Sequence, residues 1–206
     1  FLFPAVFSGI LFAEVTLPKI FSDDMVLQRG KELRIWGNAD AGEKISVSLG
    51  TQKESTRANK DGKWEITLDP YSAGGPHELV VKGQNTITFS NVMIGDVWLA
   101  SGQSNMEWPV NRSDNAEEEI QLANFKNIRL FTVPRKMAST PQSDFEEGQW
   151  VECTPETVGD FSAVAYFFGR NLHNQLDVPI GLINSSWGGT VAETWISPEL
   201  MKKDTD

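Results

Sequence analysis

Ser104 stands in the string Ser101-Gly102-Gln103-Ser104-Asn105-Met106-Glu107, directly after the apolar run Val97-Trp98-Leu99-Ala100. A serine hydroxyl can attack an acyl carbon when a base takes its proton and N–H groups meet the oxyanion. The apolar run reads as a buried strand of a parallel sheet, and the glycine marks the turn that ends it. Side chains after such a turn stand at the carboxyl edge of the sheet, where open α/β folds hold their ligands. By spacing alone, Ser101 and Ser104 read equally well as turn or cap residues. Met106 occupies the place of the second glycine in a Gly-x-Ser-x-Gly elbow, so the string is not that elbow.

Two further strings accompany it. Gly181-Leu182-Ile183-Asn184-Ser185-Ser186-Trp187-Gly188-Gly189-Thr190 continues to Glu193-Thr194-Trp195, and Met25-Val26-Leu27-Gln28-Arg29 lies near the start. In this order the three resemble the signatures of the SGNH hydrolases, in the branch of sialate O-acetylesterases and related carbohydrate acetylesterases. The resemblance covers nearly the whole chain after its first 13 residues. It implies an α/β fold, the flavodoxin-like three-layer arrangement around a parallel sheet. It also implies that Ser104 attacks an acetyl ester and forms an acetyl-enzyme, with a backbone N–H of Gly188 or Gly189 receiving the oxyanion. The implied partner is an acetylated carbohydrate, a sialate or a plant glycan such as acetylated xylan.

Several residues flank the two blocks and are candidates for substrate binding: Gln103, Asn105, Glu107, Trp108, Trp187, Glu193 and Trp195. Trp faces stack on sugar rings, although core packing explains any single one equally well. Glu107 and Glu193 can hold substrate hydroxyls or loop N–H groups. A secreted, non-catalytic glycan-binding protein is the rival reading, supported by a β-rich first part and seven Trp. The intact Gly102-Gln103-Ser104-Asn105 argues against it, since a binding module needs no serine at that edge.

The base is harder to find. The chain has two histidines, His77 after Gly75-Pro76 and His173 beside Leu172. The first reads as a surface turn residue and the second as a helix-face residue. The resemblance implies an Asp-x-x-His pair and a further block with an Asn oxyanion donor, and neither occurs before Asp206. The expectation is therefore an N-terminal part of a longer esterase, inactive alone, with its His and Asp beyond residue 206.

The elements that must position these residues fall into two groups. From 14 to 91, short alternating runs such as Ile45-Ser46-Val47-Ser48-Leu49 and turns such as Asn59-Lys60-Asp61-Gly62 predict a β-sandwich domain. From 92 to 206, apolar strands alternate with helical stretches, which predicts a parallel α/β domain. Ser113 is the expected cap of a helix rich in Glu, and Asp160 that of a second helix. The second helix places Phe161, Val164, Ala165, Phe168, Leu172 and Leu176 on one face. Strands are predicted over 128–133 and 180–184, and a long loop over 136–159.

Residues 1–13 are uncharged and mostly apolar, too short to cross a bilayer. They resemble part of a signal peptide and predict a secreted or periplasmic protein with no membrane attachment once it is removed. The net charge of -10 argues against nucleic acid and anionic lipid as partners. The single Cys153 cannot form an internal disulfide and reads as a buried free thiol. No Cys/His cluster or phosphate-binding glycine loop is present, so the sequence implies neither a metal nor an organic cofactor.

Overall fold

A single 17-residue strand carries both halves of the molecule. The computed structural model describes residues 14–202; the leader-like stretch lies outside them. The first half contributes β1 (Val26–Gln28), β2 (Leu33–Asn38), β3 (Lys44–Leu49), β4 (Gln52–Arg57), β5 (Lys63–Leu68), β6 (Gly74–Lys82) and the long β7 (Thr86–Gly102). Then follow α1 (Ser104–Glu107), α2 (Ala116–Leu122), β8 (Phe125–Thr132), β9 (Trp150–Cys153), α3 (Pro155–Val158), α4 (Ala163–Leu176), β10 (Ile180–Ser186) and α5 (Pro198–Met201).

The main sheet is mixed and has the order β4-β3-β6-β7-β10-β8-β9, with β1 lying parallel to the middle of β7. Strands β2 and β5 form a separate antiparallel pair. Alternation explains the first half: Ile45, Val47 and Leu49 are buried while the residues between them are less so. The pair packs Leu33, Ile35, Trp64 and Ile66 into one apolar core with Ile45, Val47, Leu79 and Val81 of the main sheet. Strand β10 reads differently. Ile180, Gly181 and Leu182 are all buried, as a central parallel strand requires.

The expected division at 91/92 falls inside β7, so the two halves share a strand in place of a linker. Its first part pairs antiparallel with β6 and its last part parallel with β10. Asn91, at φ +55, lies within the antiparallel part, where the register between β6 and β7 shifts. Its side-chain amide donates to Asp24 Oδ1 at 2.6 Å and Glu152 Oε1 at 3.1 Å. Arg129, 2% exposed, donates to Asp24 Oδ1 at 3.0 Å and to Asn91 Oδ1 at 3.3 Å. The Met25–Arg29 string is explained by the same junction. Gln28 Oε1 accepts the Val97 N–H at 2.9 Å, and Arg29 binds Asp96 through two hydrogen bonds of 2.8 and 2.9 Å. The string fastens β1 against β7.

Other expectations shift. Helix α2 starts from Asn115, in the left-handed region, and not from Ser113. Helix α4 is capped by Ser162, whose hydroxyl accepts the Ala165 N–H at 3.2 Å. Asp160 instead accepts from the Asn111 amide at 2.7 Å. The helix buries Ala163, Ala165, Tyr166 and Gly169, whereas Val164, Phe168 and Leu176 are exposed. Small residues let α4 lie close on β10, and this close approach decides which face is buried. The expected loop over 136–159 contains β9 and α3.

Candidate active site

Strands β7, β10 and β8 are parallel, and their registers bring three carboxyl ends to one edge. Ser186 lies opposite Gly102, and Asn184 lies opposite both Ala100 and Thr132. Three loops leave this edge side by side. They carry Gln103 into α1, Trp187 to Val191 after β10, and Val133 to Lys136 after β8.

Ser104 is the first residue of α1 and is exposed. The one-turn helix closes with the Glu107 N–H on the Gln103 carbonyl at 3.0 Å. Met106 seats it: its sulfur accepts the Ser162 hydroxyl at 3.6 Å, and its side chain packs into the core under α4. The departure from the glycine elbow is thus an anchor onto the next helix. Gln103 and Asn105 are exposed on either side of Ser104.

The loop after β10 is drawn onto α1. The Trp187 N–H donates to the Gly102 carbonyl at 3.0 Å, and the Gly188 N–H donates to Glu107 Oε2. A Cβ placed on Gly188 would lie 3.3 Å from Ser104 Oγ and 2.6 Å from Glu107 Oε2. Glycine is therefore required at 188 for the loop to approach the serine so closely. The other oxygen, Glu107 Oε1, pairs with Arg135 at 2.8 Å, and Arg135 Nε donates to the Ser186 carbonyl at 3.2 Å. Both oxygens of Glu107 thus meet protein donors. Of the two roles open to Glu107, the structure shows the contact to a loop N–H. By the same contact the Gly188 N–H is already engaged. Beneath the edge, Ser186 Oγ donates to Asn184 Oδ1 at 2.7 Å, and both residues are buried.

A groove of about 770 Å³ opens beside this loop, lined among others by Arg135, Lys136, Trp187, Gly188, Thr190 and Trp195. Gly188 is common to the groove and to the surroundings of Ser104 Oγ. Hydrogen bonds tie the Trp195 ring to Thr190, and Thr190 to the backbone of Trp187. Trp195 Nε1 donates to Thr190 Oγ1 at 3.0 Å, and Thr190 Oγ1 donates to the Trp187 carbonyl at 2.8 Å. Trp108 does not line the groove; its indole donates to the Arg112 carbonyl at 3.0 Å and its ring is half-exposed. Glu193 is exposed at the start of the short 3₁₀ turn Ala192–Trp195.

Neither histidine stands at this edge. His173 Nδ1 lies 2.8 Å from the Val178 carbonyl, at the amino end of β10. His77 is a half-buried strand residue, not a turn residue; it sits on β6 opposite Val92 and beside the Tyr71 ring at 5.9 Å. Val92 is ten residues before Gly102 along β7. At about 3.3 Å per residue this places His77 roughly 30 Å away. Cys153 is buried, and burial pushes its thiol up to about 12. Among the described residues, no group of three or more His, Cys, Asp or Glu is placed to hold a metal ion. No helix among them is long and apolar enough to cross a membrane.

Arg135 carried no signal of its own in the sequence. Its position was readable only by following β8 to its carboxyl end, because Pro134 stops the strand and the next side chain falls on the same edge as Ser104.

No protein-family model matches the chain. It is 37% identical over 202 residues to the sialate O-acetylesterases of Pongo abelii and Homo sapiens, an alignment covering 88% of this chain and 38% of each relative. The rat sialate O-acetylesterase is 36% identical over 201 residues, covering 86% and 36%. A carbohydrate acetylesterase from Xanthomonas citri shares the fold with a TM-score of 0.90 at 36% identity, over 92% of this chain and 44% of that one. The chain spans little more than a third of the length of the curated relatives it matches.

Proposed function

Because this chain is a relative of the sialate O-acetylesterases along the segment it shares with them, we propose that it carries the nucleophile side of a serine esterase that deacetylates carbohydrates. The observation that supports this most directly is the approach of Gly188 to Ser104 Oγ at the shared edge of β7 and β10.

In this reading Ser104 Oγ bonds to the acetyl carbonyl carbon as its proton passes to a base. The carbonyl π electrons move onto oxygen. The tetrahedral intermediate collapses, the sugar oxygen leaves with a proton, and Ser104 holds the acetyl group. Water repeats the sequence, releasing acetate and restoring the hydroxyl. The oxyanion is met by backbone N–H groups, from Ser104 itself and from Gly189, since Gly188 already donates to Glu107. The proton acceptor is an imidazole from outside the described residues, because His77 and His173 stand far from Ser104. The fold around this edge is read as the three-layer SGNH arrangement.

Trp187 and Trp195 give the groove two aromatic residues to stack on sugar rings, and acetylated sialate or plant glycan is the substrate class. Export to the periplasm or beyond would expose the protein to such glycans.

The test uses the complete polypeptide that contains this chain. Acetate release from an aryl acetate is compared for the native protein and Ser104→Ala, with circular dichroism to show that the variant folds. Loss of turnover, together with loss of labelling by a serine-directed phosphonate, is expected. Near-normal turnover by Ser104→Ala overturns the reading.

A further inference from the structure

The two charges next to Ser104 are used by neither the nucleophile nor the base, yet both are fixed. Glu107 is the last residue of α1, three places after Ser104, and accepts the N–H of Gly188. Arg135, from the loop after β8, pairs with the other carboxylate oxygen and donates to the Ser186 carbonyl at 3.2 Å. The pair therefore joins the carboxyl ends of all three parallel strands at the point where they surround the serine. Resting on the esterase reading above, we infer that Arg135 and Glu107 are positioning residues for deacetylation. Glu107 holds the Gly188-Gly189 loop at the distance from Ser104 that the oxyanion requires. Arg135 neutralises the carboxylate that does so.

The argument for Glu107 is geometric. Its Oε2 and Ser104 Oγ both lie within 3.3 Å of one point, the place a Cβ would take on Gly188. The loop that offers an N–H to the oxyanion is thus tied by its neighbouring N–H to the helix that carries the nucleophile. A loop released from that tie drifts, and a misplacement of about 1 Å near the reacting atoms lowers rates by about a hundredfold.

The argument for Arg135 is electrostatic. Negative charge grows on the substrate oxygen in the transition state, close to Gly189. A carboxylate in the same small volume opposes it unless a cation is paired with it, and the effect is strongest when substrate has displaced water. Arg135 suits this task, because its planar fork grips Glu107 and the Ser186 carbonyl at once.

These roles predict a pattern that simple loss of stability does not. In the complete polypeptide, kcat and KM for an aryl acetate are measured per phosphonate-titratable serine, so that unfolded molecules are not counted. Arg135→Met is expected to lower kcat by about a hundredfold with KM within about threefold, on the scale of a lost oxyanion contact. Glu107→Ala is expected to lower kcat by about 10- to 100-fold by freeing the loop. Glu107→Gln keeps an acceptor for Gly188 and is expected to lose less than about tenfold. The decisive variant is Arg135→Met/Glu107→Gln. With the uncompensated charge gone, it is expected to recover at least about tenfold over Arg135→Met alone.

The inference is overturned if Arg135→Met and Glu107→Ala keep kcat within about twofold, or if the double variant is no faster than Arg135→Met. Either result, with Ser104→Ala inactive, leaves the esterase reading standing. Turnover by Ser104→Ala overturns both.

Discussion

Ser186 of β10 lies directly opposite Gly102 of β7, so the loops that carry Gly188 and Ser104 leave the sheet from the same rung. Their approach is set by strand register more than by loop conformation. A register slip of one residue would displace one loop by about 3.3 Å and reverse the faces of every side chain on the strand. The parallel pairing from Ile180 opposite Asp96 to Ser186 opposite Gly102 is therefore the frame on which the candidate site depends.

That frame gives a first prediction. Gly95 directly precedes the part of β7 that pairs with β10, and a Cβ there would lie 2.0 Å from the Pro179 carbonyl oxygen. The same carbonyl accepts the Asp96 N–H at 2.9 Å. A backbone oxygen cannot swing aside as a flexible side chain can. Gly95→Ala is expected to destabilise the protein by about 1–3 kcal/mol, the scale of core overpacking. Urea unfolding measures this; a change below about 0.5 kcal/mol would show that β10 can shift without losing its pairing.

The histidines give a second. His173 contacts the carbonyl that precedes β10, and His77 packs on Tyr71 in the other half of the fold. His77→Ala and His173→Ala are each expected to leave acetate release by the complete polypeptide within a few-fold. A loss of about a thousandfold for either, the scale of a removed base, would place the base on this chain.

Cys153 gives a third. Burial opposes the charged thiolate and raises its titration to about 12. Alkylation by iodoacetamide at pH 8 is expected to be far slower than for a free thiol, as followed by intact-protein mass spectrometry. The linkage has a definite sign. The folded-state value lies above the unfolded one, so the stabilisation is whole below the unfolded value, about pH 8.5. It is lost as pH rises from there towards 12. Cys153→Ala is expected to show a flatter fall of stability over that window.

How far the sequence could be read depended on how local the governing forces are. Ser104 and Gly188 were legible because each sits in a short string at the end of an apolar strand, and strand ends follow from local pattern. The strand from Ile180 was legible for the same reason. The continuity of β7 through 91/92 is not legible, because the pattern changes character near Val92 from alternating strands to apolar strands and helical stretches. The positive φ of Asn91 sits within a continuous strand, and its side chain is bonded to Asp24, Glu152 and Arg129, all distant in sequence. Strand β9 was hidden because Trp150–Cys153 is four residues long and pairs only through β8. The stripe of large apolar residues predicts the wrong buried face for α4, because the smallness of Ala163 and Gly169 is what admits the helix to the sheet. The sequence marks Glu107 but not its direction, since its partner Arg135 comes from the loop after another strand.

The shared strand also bears on how the molecule is made. Translation delivers β7 and then Ser104 well before the residues of β10 that complete the sheet beside them. Until then the parallel stretch from Asp96 to Gly102 lacks β10, its partner in the sheet. Its β6 partner is already available, so the antiparallel half can form first and present the remainder of β7 as a template. Pairings so distant along the chain close slowly. The nucleophile's edge is thus the late-maturing part of the fold, and pulse-labelled hydrogen exchange during refolding should find amides of 79–89 protected before those of 97–102.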